Sequence, residues 1–223
     1  MDLQEYADQD MMFLALADRL ASDLRRALGR RDRALFVVPG GTTPGPVFDI
    51  LSDVDLEWAR VDVLPSDERW VPEDDPRSNA GLLRRRLLQG RAAAANLIPL
   101  YTGAETPEAA LETLTATVDA LLPVDVALLG MGADMHVASL FPEADRLDEA
   151  LAAGAPPLLP IRAPAAPEPR ITLTLPVLKE AFAAHILITG PDKRAALDRA
   201  KDLEPRAAPV AALLGQAQVH WAE

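Results

Sequence analysis

The sequence predicts an α/β fold built on a mainly parallel sheet with helices on both faces. Two observations carry that expectation. Short apolar runs that end in proline or glycine recur along the chain, and stretches with helical spacing separate them. Strands that alternate with helices need crossover connections, which are right-handed and cover the sheet on both sides.

The elements follow in order. Over residues 8–28, Met12, Leu16, Leu20, Leu24 and Leu28 stand four apart with charged residues between them, the pattern of an amphipathic helix. "ALFVVPGGTTPG" then reads as a buried strand cut by Pro39 and a glycine pair. "TPGPVFDIL" opens a second helix, with Thr43 as its cap and Pro44 at the first position. The alternation continues with a strand at 61–65, a helix near 79–88, a strand at 96–100 and a helix from Pro107 to Leu122. Strands at 124–130 and 171–175, a short helix from Pro176, a strand at 185–190 and a helix from Asp192 complete the series. The proline-rich stretch 151–170 reads as a surface connection.

With 223 residues and 49% apolar composition, the chain predicts a single domain over 1–223. No run approaches the ~20 apolar residues of a membrane span, and the first thirty residues lack the basic start and apolar core of a signal peptide. The absence of cysteine excludes disulfides, thiol nucleophiles and thiolate metal sites, and the cytoplasm is the expected compartment. A formal charge of −12 works against nucleic acid and anionic membranes as partners. An anionic ligand would therefore need a local cationic site that acts against the field of the whole molecule.

Three strand ends carry candidate chemistry, because ligands of an open parallel sheet gather beyond the carboxyl ends of its strands. In "PGGTTP", the backbone of Gly40 and Gly41, the hydroxyls of Thr42 and Thr43 and a helix N-terminus suit a phosphate, although the same residues also make a plain strand-to-helix turn. "SDERW" sets Asp67, Glu68 and Arg69 side by side between Pro65 and Trp70, as a ligand loop or as a solvated charge run. In "GMGADMH", His136 follows Asp134 by two residues, the arrangement of a general base with an orienting carboxylate, or of an ordinary loop histidine. His185 and His220 read as structural, and Ser139 as a local cap. The chain has no G-x-S-x-G elbow, no P-loop, no His-x-x-x-His metal pair and no complete dinucleotide fingerprint.

Taken together with "RITLTLPVL" (170–178), the stretches "GGTTP", "DERWVPEDDPRSN" and "GMGADMHVASLFP" resemble the 6-phosphogluconolactonase family. The resemblance runs from about Val37 to the C-terminus. It implies a modified Rossmann-like domain and metal-free, cofactor-free hydrolysis of 6-phospho-D-glucono-1,5-lactone, a sugar-phosphate lactone, to 6-phosphogluconate. By the same resemblance His136 is the base, Asp134 orients it, and Arg69 with Asp67 shapes the site. Gly40, Gly41, Thr42, Thr43, Arg170 and Lys193 match positions near substrate or phosphate. This chain departs from the family pattern at Met135, where the family has glycine, at Val137, where it has threonine, and at Pro39, where it often has serine. If the replaced glycine has positive φ, methionine there is strained. Rival readings are a sugar-phosphate isomerase or deaminase, whose histidine is followed by Phe-Asn-Glu-Pro rather than "SLFP", and a non-catalytic sugar-phosphate sensor.

Overall fold

The computed structural model describes residues 1–223. Its elements in chain order are β1 (Asp2–Glu5), α1 (Gln9–Leu28), β2 (Ala34–Val38), α2 (Gly45–Ser52), β3 (Val61–Pro65), β4 (Asp67–Arg69), α3 (Asn79–Arg86), β5 (Asn96–Leu97) and α4 (Pro107–Asp119). There follow β6 (Val126–Gly130), α5 (Leu147–Leu151), β7 (Leu158–Ala163), β8 (Ala166–Leu173), α6 (Leu175–Lys179), β9 (Ala183–Thr189), α7 (Gly190–Ala200) and β10 (Gln218–Ala222). Seven strands form one sheet in the order β1-β10-β9-β6-β2-β3-β5, every neighbouring pair parallel. The other three form a small antiparallel sheet, β4-β8-β7. No helix is long and apolar enough to cross a membrane.

The parallel sheet is buried on both faces, and β2 shows how. Leu35 and Val37 belong to one core cluster, while Ala34, Phe36 and Val38 belong to another, as the two-residue period of a strand requires. The first cluster takes Leu114 of α4, Leu178 of α6 and Leu197 of α7; the second takes Met12 of α1, Val47 of α2 and Leu83 of α3. All five leucine-and-methionine positions read from the spacing of α1 are buried, and Asp8 caps the helix by accepting from Met11 N at 2.7 Å.

Several boundaries differ from those the sequence suggests. The helix after β2 begins one residue late: Pro44 is its N-cap, and Thr43 makes no capping hydrogen bond. The strand expected at 96–100 pairs only over Asn96–Leu97, α3 and α4 end early at Arg86 and Asp119, and β6 starts at Val126. Near the C-terminus β9 and α7 each start two residues early, at Ala183 and Gly190, and α6 one early, at Leu175.

The larger correction concerns 151–170, which is no plain connection: it holds β7 and the start of β8, a hairpin. Prolines are tolerated there because β7 is an edge strand, while Pro167 and Pro169 lie beyond the Arg69–Arg170 pair, where β4 has ended. The strand expected at 171–175 therefore belongs to the small sheet and runs antiparallel.

Chain direction across the large sheet reverses between β2 and β6: β3 and β5 lie on one side, β9 and β10 on the other. A crevice opens at such a point beyond the strand carboxyl ends.

At the far edge of the same sheet, His185 and His220 take the structural role expected of them, within a buried hydrogen-bonded chain. Tyr6 Oη lies 2.8 Å from His220 Nδ1, His220 Nε2 lies 3.0 Å from His185 Nδ1, and His185 Nε2 lies 3.0 Å from Asp23 Oδ2. The chain ties β10, β9 and α1 to the segment after β1. Burial, helped by the nearby His185, pushes the His220 imidazole down to about 3.

The unfolded chain takes up that proton near the ordinary histidine value of about 6.5, whereas the folded protein refuses it until about 3. Stability supplied by neutral His220 is therefore complete above about pH 6.5 and is lost as acid is added toward pH 3. Urea denaturation between about pH 6.5 and 4.5, where most carboxylates stay ionised, should show falling stability, and the fall should be shallower in His220→Gln.

Candidate active site

The crevice is an open cleft whose empty space, continuous with solvent, is about 820 Å³. Pro39, Gly40, Gly41, Thr43 and Pro44 line it from the turn after β2, and Asp67 and Arg69 from β4. The loop after β6 adds Met131, Gly132, His136 and Ala138, while β8 adds Arg170 and α7 adds Lys193. The three strand-end segments thus meet in one place. Thr42 does not: it is exposed and outside the lining. Asp134 stands behind His136 rather than on the cleft wall.

His136 is held from behind. Its Nδ1 lies 2.5 Å from Asp134 Oδ1, and its backbone N–H donates to the same oxygen at 3.3 Å. Burial works to raise the Asp134 carboxyl, but the hydrogen bond and charge of His136 outweigh it and hold the group below its ordinary value. Ionised, Asp134 fixes the proton on Nδ1 and leaves Nε2 as the ring nitrogen without a protein partner.

This contact depends on Gly132. A Cβ there would fall 2.1 Å from His136 Nδ1 and 2.3 Å from Asp134 Oδ1, so only glycine lets backbone, ring and carboxylate share the space. The turn closes through Gly132 N–H donating to His136 O at 3.0 Å and Met135 N–H donating to Gly132 O at 3.0 Å.

Met135 has φ 67°, the left-handed conformation in which a methionine is strained. Such a conformation costs a non-glycine residue roughly 1–2 kcal/mol. Packing against the larger core cluster offsets part of that, and Val210 N–H bonds the Met135 carbonyl at 3.2 Å. Val137 is fully buried in that cluster, so the methyl in place of a hydroxyl suits its surroundings.

The alternation of β4 sorts the "DER" triplet. Asp67 and Arg69 face the cleft. Glu68 faces away, fully buried, and accepts from the N–H groups of Arg69, Asn79 and Ala80 at 2.8 Å each and from Ser78 Oγ at 3.2 Å. Burial raises its carboxyl, and those backbone hydrogen bonds pull it back. Glu68 thus holds the first turn of α3 against β4 and has no access to a ligand. Asp67 is anchored too: Ser66 Oγ donates to Oδ1 at 2.9 Å, and Ser139 Oγ donates to Oδ2. Ser139 is therefore a buttress of Asp67, where the sequence suggested a local cap.

Three cations line the cleft. Arg69 donates from Nη1 to Arg77 O at 2.7 Å and to Asn79 Oδ1 at 2.8 Å, leaving its Nε buried without a partner. Arg170, its cross-strand neighbour, is 9% exposed and likewise has an unpartnered Nε. Lys193 donates to Met131 O at 2.7 Å; burial lowers its pKa, against the pull of Asp134.

Asn79 was not singled out in the sequence. Its Nδ2 donates to Asp67 O at 2.8 Å, and a Cβ on Gly40 would fall 1.8 Å from its Oδ1, which gives Gly40 a reason in packing. Ser78 caps α3 by accepting from Gly81 N–H at 3.1 Å, so the serine–asparagine pair is the signal that points there.

Comparison with known proteins agrees with this architecture. A family model described as glucosamine-6-phosphate isomerases/6-phosphogluconolactonase matches residues 7–221. The 6-phosphogluconolactonase of Mesorhizobium japonicum is 43% identical over 97% of this chain and 93% of its own length, and that of Pseudomonas aeruginosa 44% over 92% and 88%. The crystal structure of a 6-phosphogluconolactonase from Shewanella baltica superposes with a TM-score of 0.96 at 31% identity, covering 100% of this chain and 98% of that one. A monomeric glucosamine-6-phosphate deaminase shares the fold, with a TM-score of 0.83 at 17% identity.

The tight contact at Gly132 sets up a double-mutant test. Gly132→Ala should destabilise the protein by about 1–3 kcal/mol in urea denaturation, because the added methyl displaces the imidazole. In the double variant with His136→Ala the ring is gone, so the two losses should fall short of additive by about 0.5–3 kcal/mol.

Proposed function

The chain belongs to the glucosamine-6-phosphate isomerase/6-phosphogluconolactonase family, and we propose that it hydrolyses 6-phospho-D-glucono-1,5-lactone to 6-phosphogluconate in the oxidative pentose phosphate pathway. The observation that carries the mechanism is the Asp134–His136 contact in the wall of a cation-lined cleft. His136 Nε2 takes a proton from water as the oxygen attacks the lactone carbonyl carbon. Asp134 stabilises the imidazolium that forms and keeps the ring in register. When the carbon–ring oxygen bond breaks, the imidazolium returns its proton to the departing ring oxygen. A lactone is already an activated ester, so neither a covalent nucleophile nor a cofactor is required.

The phosphate lies toward the turn of Gly40, Gly41 and Thr43, with Arg69 and Lys193 supplying charge against the overall −12. Asp67, with both oxygens engaged by serine hydroxyls, shapes the wall and carries no proton in the reaction. The isomerase and deaminase reading lacks its glutamate, since "SLFP" carries no carboxylate: Ser139 bonds Asp67 and Phe141 is buried. A cytoplasmic enzyme acting as one domain, with no nucleic-acid partner, fits the charge and the absence of cysteine.

The test is an assay in which lactone is generated in situ and 6-phosphogluconate is trapped by its dehydrogenase, with spontaneous opening subtracted at each pH. The wild-type protein should exceed that background. His136→Asn, which keeps size and hydrogen bonding but not the base, should lose ~10²–10⁴-fold in kcat with little change in affinity for 6-phosphogluconate. Retention of wild-type turnover by His136→Asn would remove His136 from the mechanism.

A further inference from the structure

Arg170 is the most anomalous polar group in the cleft. It is 9% exposed, yet its Nε has no hydrogen-bond partner. Its nearest carboxylates are set just too far to bond: Nη1 stands 3.7 Å from Asp67 Oδ2, and Nη2 stands 3.9 Å from Glu168 Oε2. Asp67 already accepts from Ser66 and Ser139, and Glu168 pairs with Arg77. These carboxylates neutralise the guanidinium without occupying its N–H donors. A buried cation whose donors are left open costs stability unless a ligand takes them.

The donors are placed beside the base. Phe141, 5% exposed, has its ring centroid 4.3 Å from that of His136, and the Arg170 Cζ lies over the same ring at 5.6 Å from its centroid. Imidazole and guanidinium therefore both neighbour the Phe141 ring, and their centres are at most about 10 Å apart. The guanidinium lies over the ring at cation–π distance, and none of its N–H groups is hydrogen-bonded to the protein, which leaves them for a ligand. Arg69, by contrast, is tethered to Arg77 O and Asn79 on the Gly40 side. Of these two cross-strand neighbours, Arg69 is thus the one tied to the Gly40 side and Arg170 the one against Phe141.

We infer that Arg170 serves the reacting end rather than the phosphate: it donates to the lactone carbonyl oxygen as that oxygen becomes an oxyanion, beside the Phe141 ring that His136 also neighbours. The inference rests on the lactonase reading above. In the addition step the water oxygen bonds to the carbonyl carbon, its proton passes to His136 Nε2, and the carbonyl π pair moves to the oxygen held by Arg170. In the collapse that pair re-forms the carbonyl, the carbon–ring oxygen bond breaks, and the imidazolium proton goes to the ring oxygen. Phe141 is a positioning residue: it sets the spacing of base and oxyanion donor without touching the reacting atoms.

Kinetics separate this role from phosphate binding, because an oxyanion donor acts only in the transition state whereas a phosphate ligand acts in the ground state too. Arg170→Lys and Arg170→Gln, each checked by thermal melting, are assayed on the phosphorylated lactone with inorganic phosphate as competitor. The expected result is a loss of ~10²–10³-fold in kcat, with KM and inhibition by phosphate within about threefold of wild type. A raised KM and weakened phosphate inhibition with kcat intact would overturn the inference and return Arg170 to the phosphate, leaving the lactonase reading standing. Unchanged kinetics would overturn it as well. Wild-type protein with no turnover above background would instead remove the lactonase reading itself. Should both variants melt below the assay temperature, Phe141→Leu keeps both polar groups and should lower kcat about tenfold at unchanged KM; full activity in that variant would overturn the inference.

Discussion

The site depends on the packing of one imidazole and one carboxylate against bare backbone. The loop after β6 must turn back within a few residues so that Asp134 reaches His136 Nδ1, and that turn has room only because Gly132 presents no side chain to either group. The strain this loop carries is visible one residue before the histidine, at Met135, and again at Ala138 with φ 51°. Backbone held in such a conformation persists only where surrounding packing over-determines it. Here the burial of Val137 and Leu140 and the bond from Val210 N–H to Met135 O do so. The core beneath the loop is thus part of the apparatus that aims the histidine.

The cations obey a related constraint. In a chain of net charge −12, a site for an anion must place positive charge locally and keep some of its N–H donors from bonding the protein's own carboxylates. The antiparallel pairing of β4 with β8 sets Arg69 opposite Arg170, and serine hydroxyls occupy the nearby Asp67. Both guanidinium groups keep an unpartnered Nε. The small sheet, peripheral to the main core, is what delivers two open donors to the mouth of the large one.

Much of this was legible in the sequence. The spacing of α1, the apolar runs of β2, β3 and β6, and the three strand-end segments all follow from local patterns that tertiary structure had no reason to override. What escaped were elements without such patterns. β1 reads "DLQE", with Leu3 its one apolar residue, too little for a strand pattern, and its pairing with β10 makes it a strand. β4 is three charged residues long, and β7 and the start of β8 sit in proline-rich sequence that looks like a connection. In the site, the Asp134–His136 pair was readable from a two-residue spacing, whereas the fates of Glu68, Asn79 and Arg170 are set by contacts between segments distant in sequence. Thr42, singled out from its place in a turn, is exposed and lies outside the cleft lining.

The tautomer of His136 in the free protein is the most direct probe of the constraint on which the site depends. Nitrogen-15 NMR of histidine-labelled protein, at a pH where the imidazole is neutral, should find the proton on Nδ1, bonded to Asp134, and Nε2 unprotonated and ready to accept. Asp134→Asn should disturb that preference while the signals of His185 and His220 stay in place. A proton on Nε2 in the unaltered protein would mean that Asp134 does not set the ring and that His136 cannot take a proton from water in this geometry.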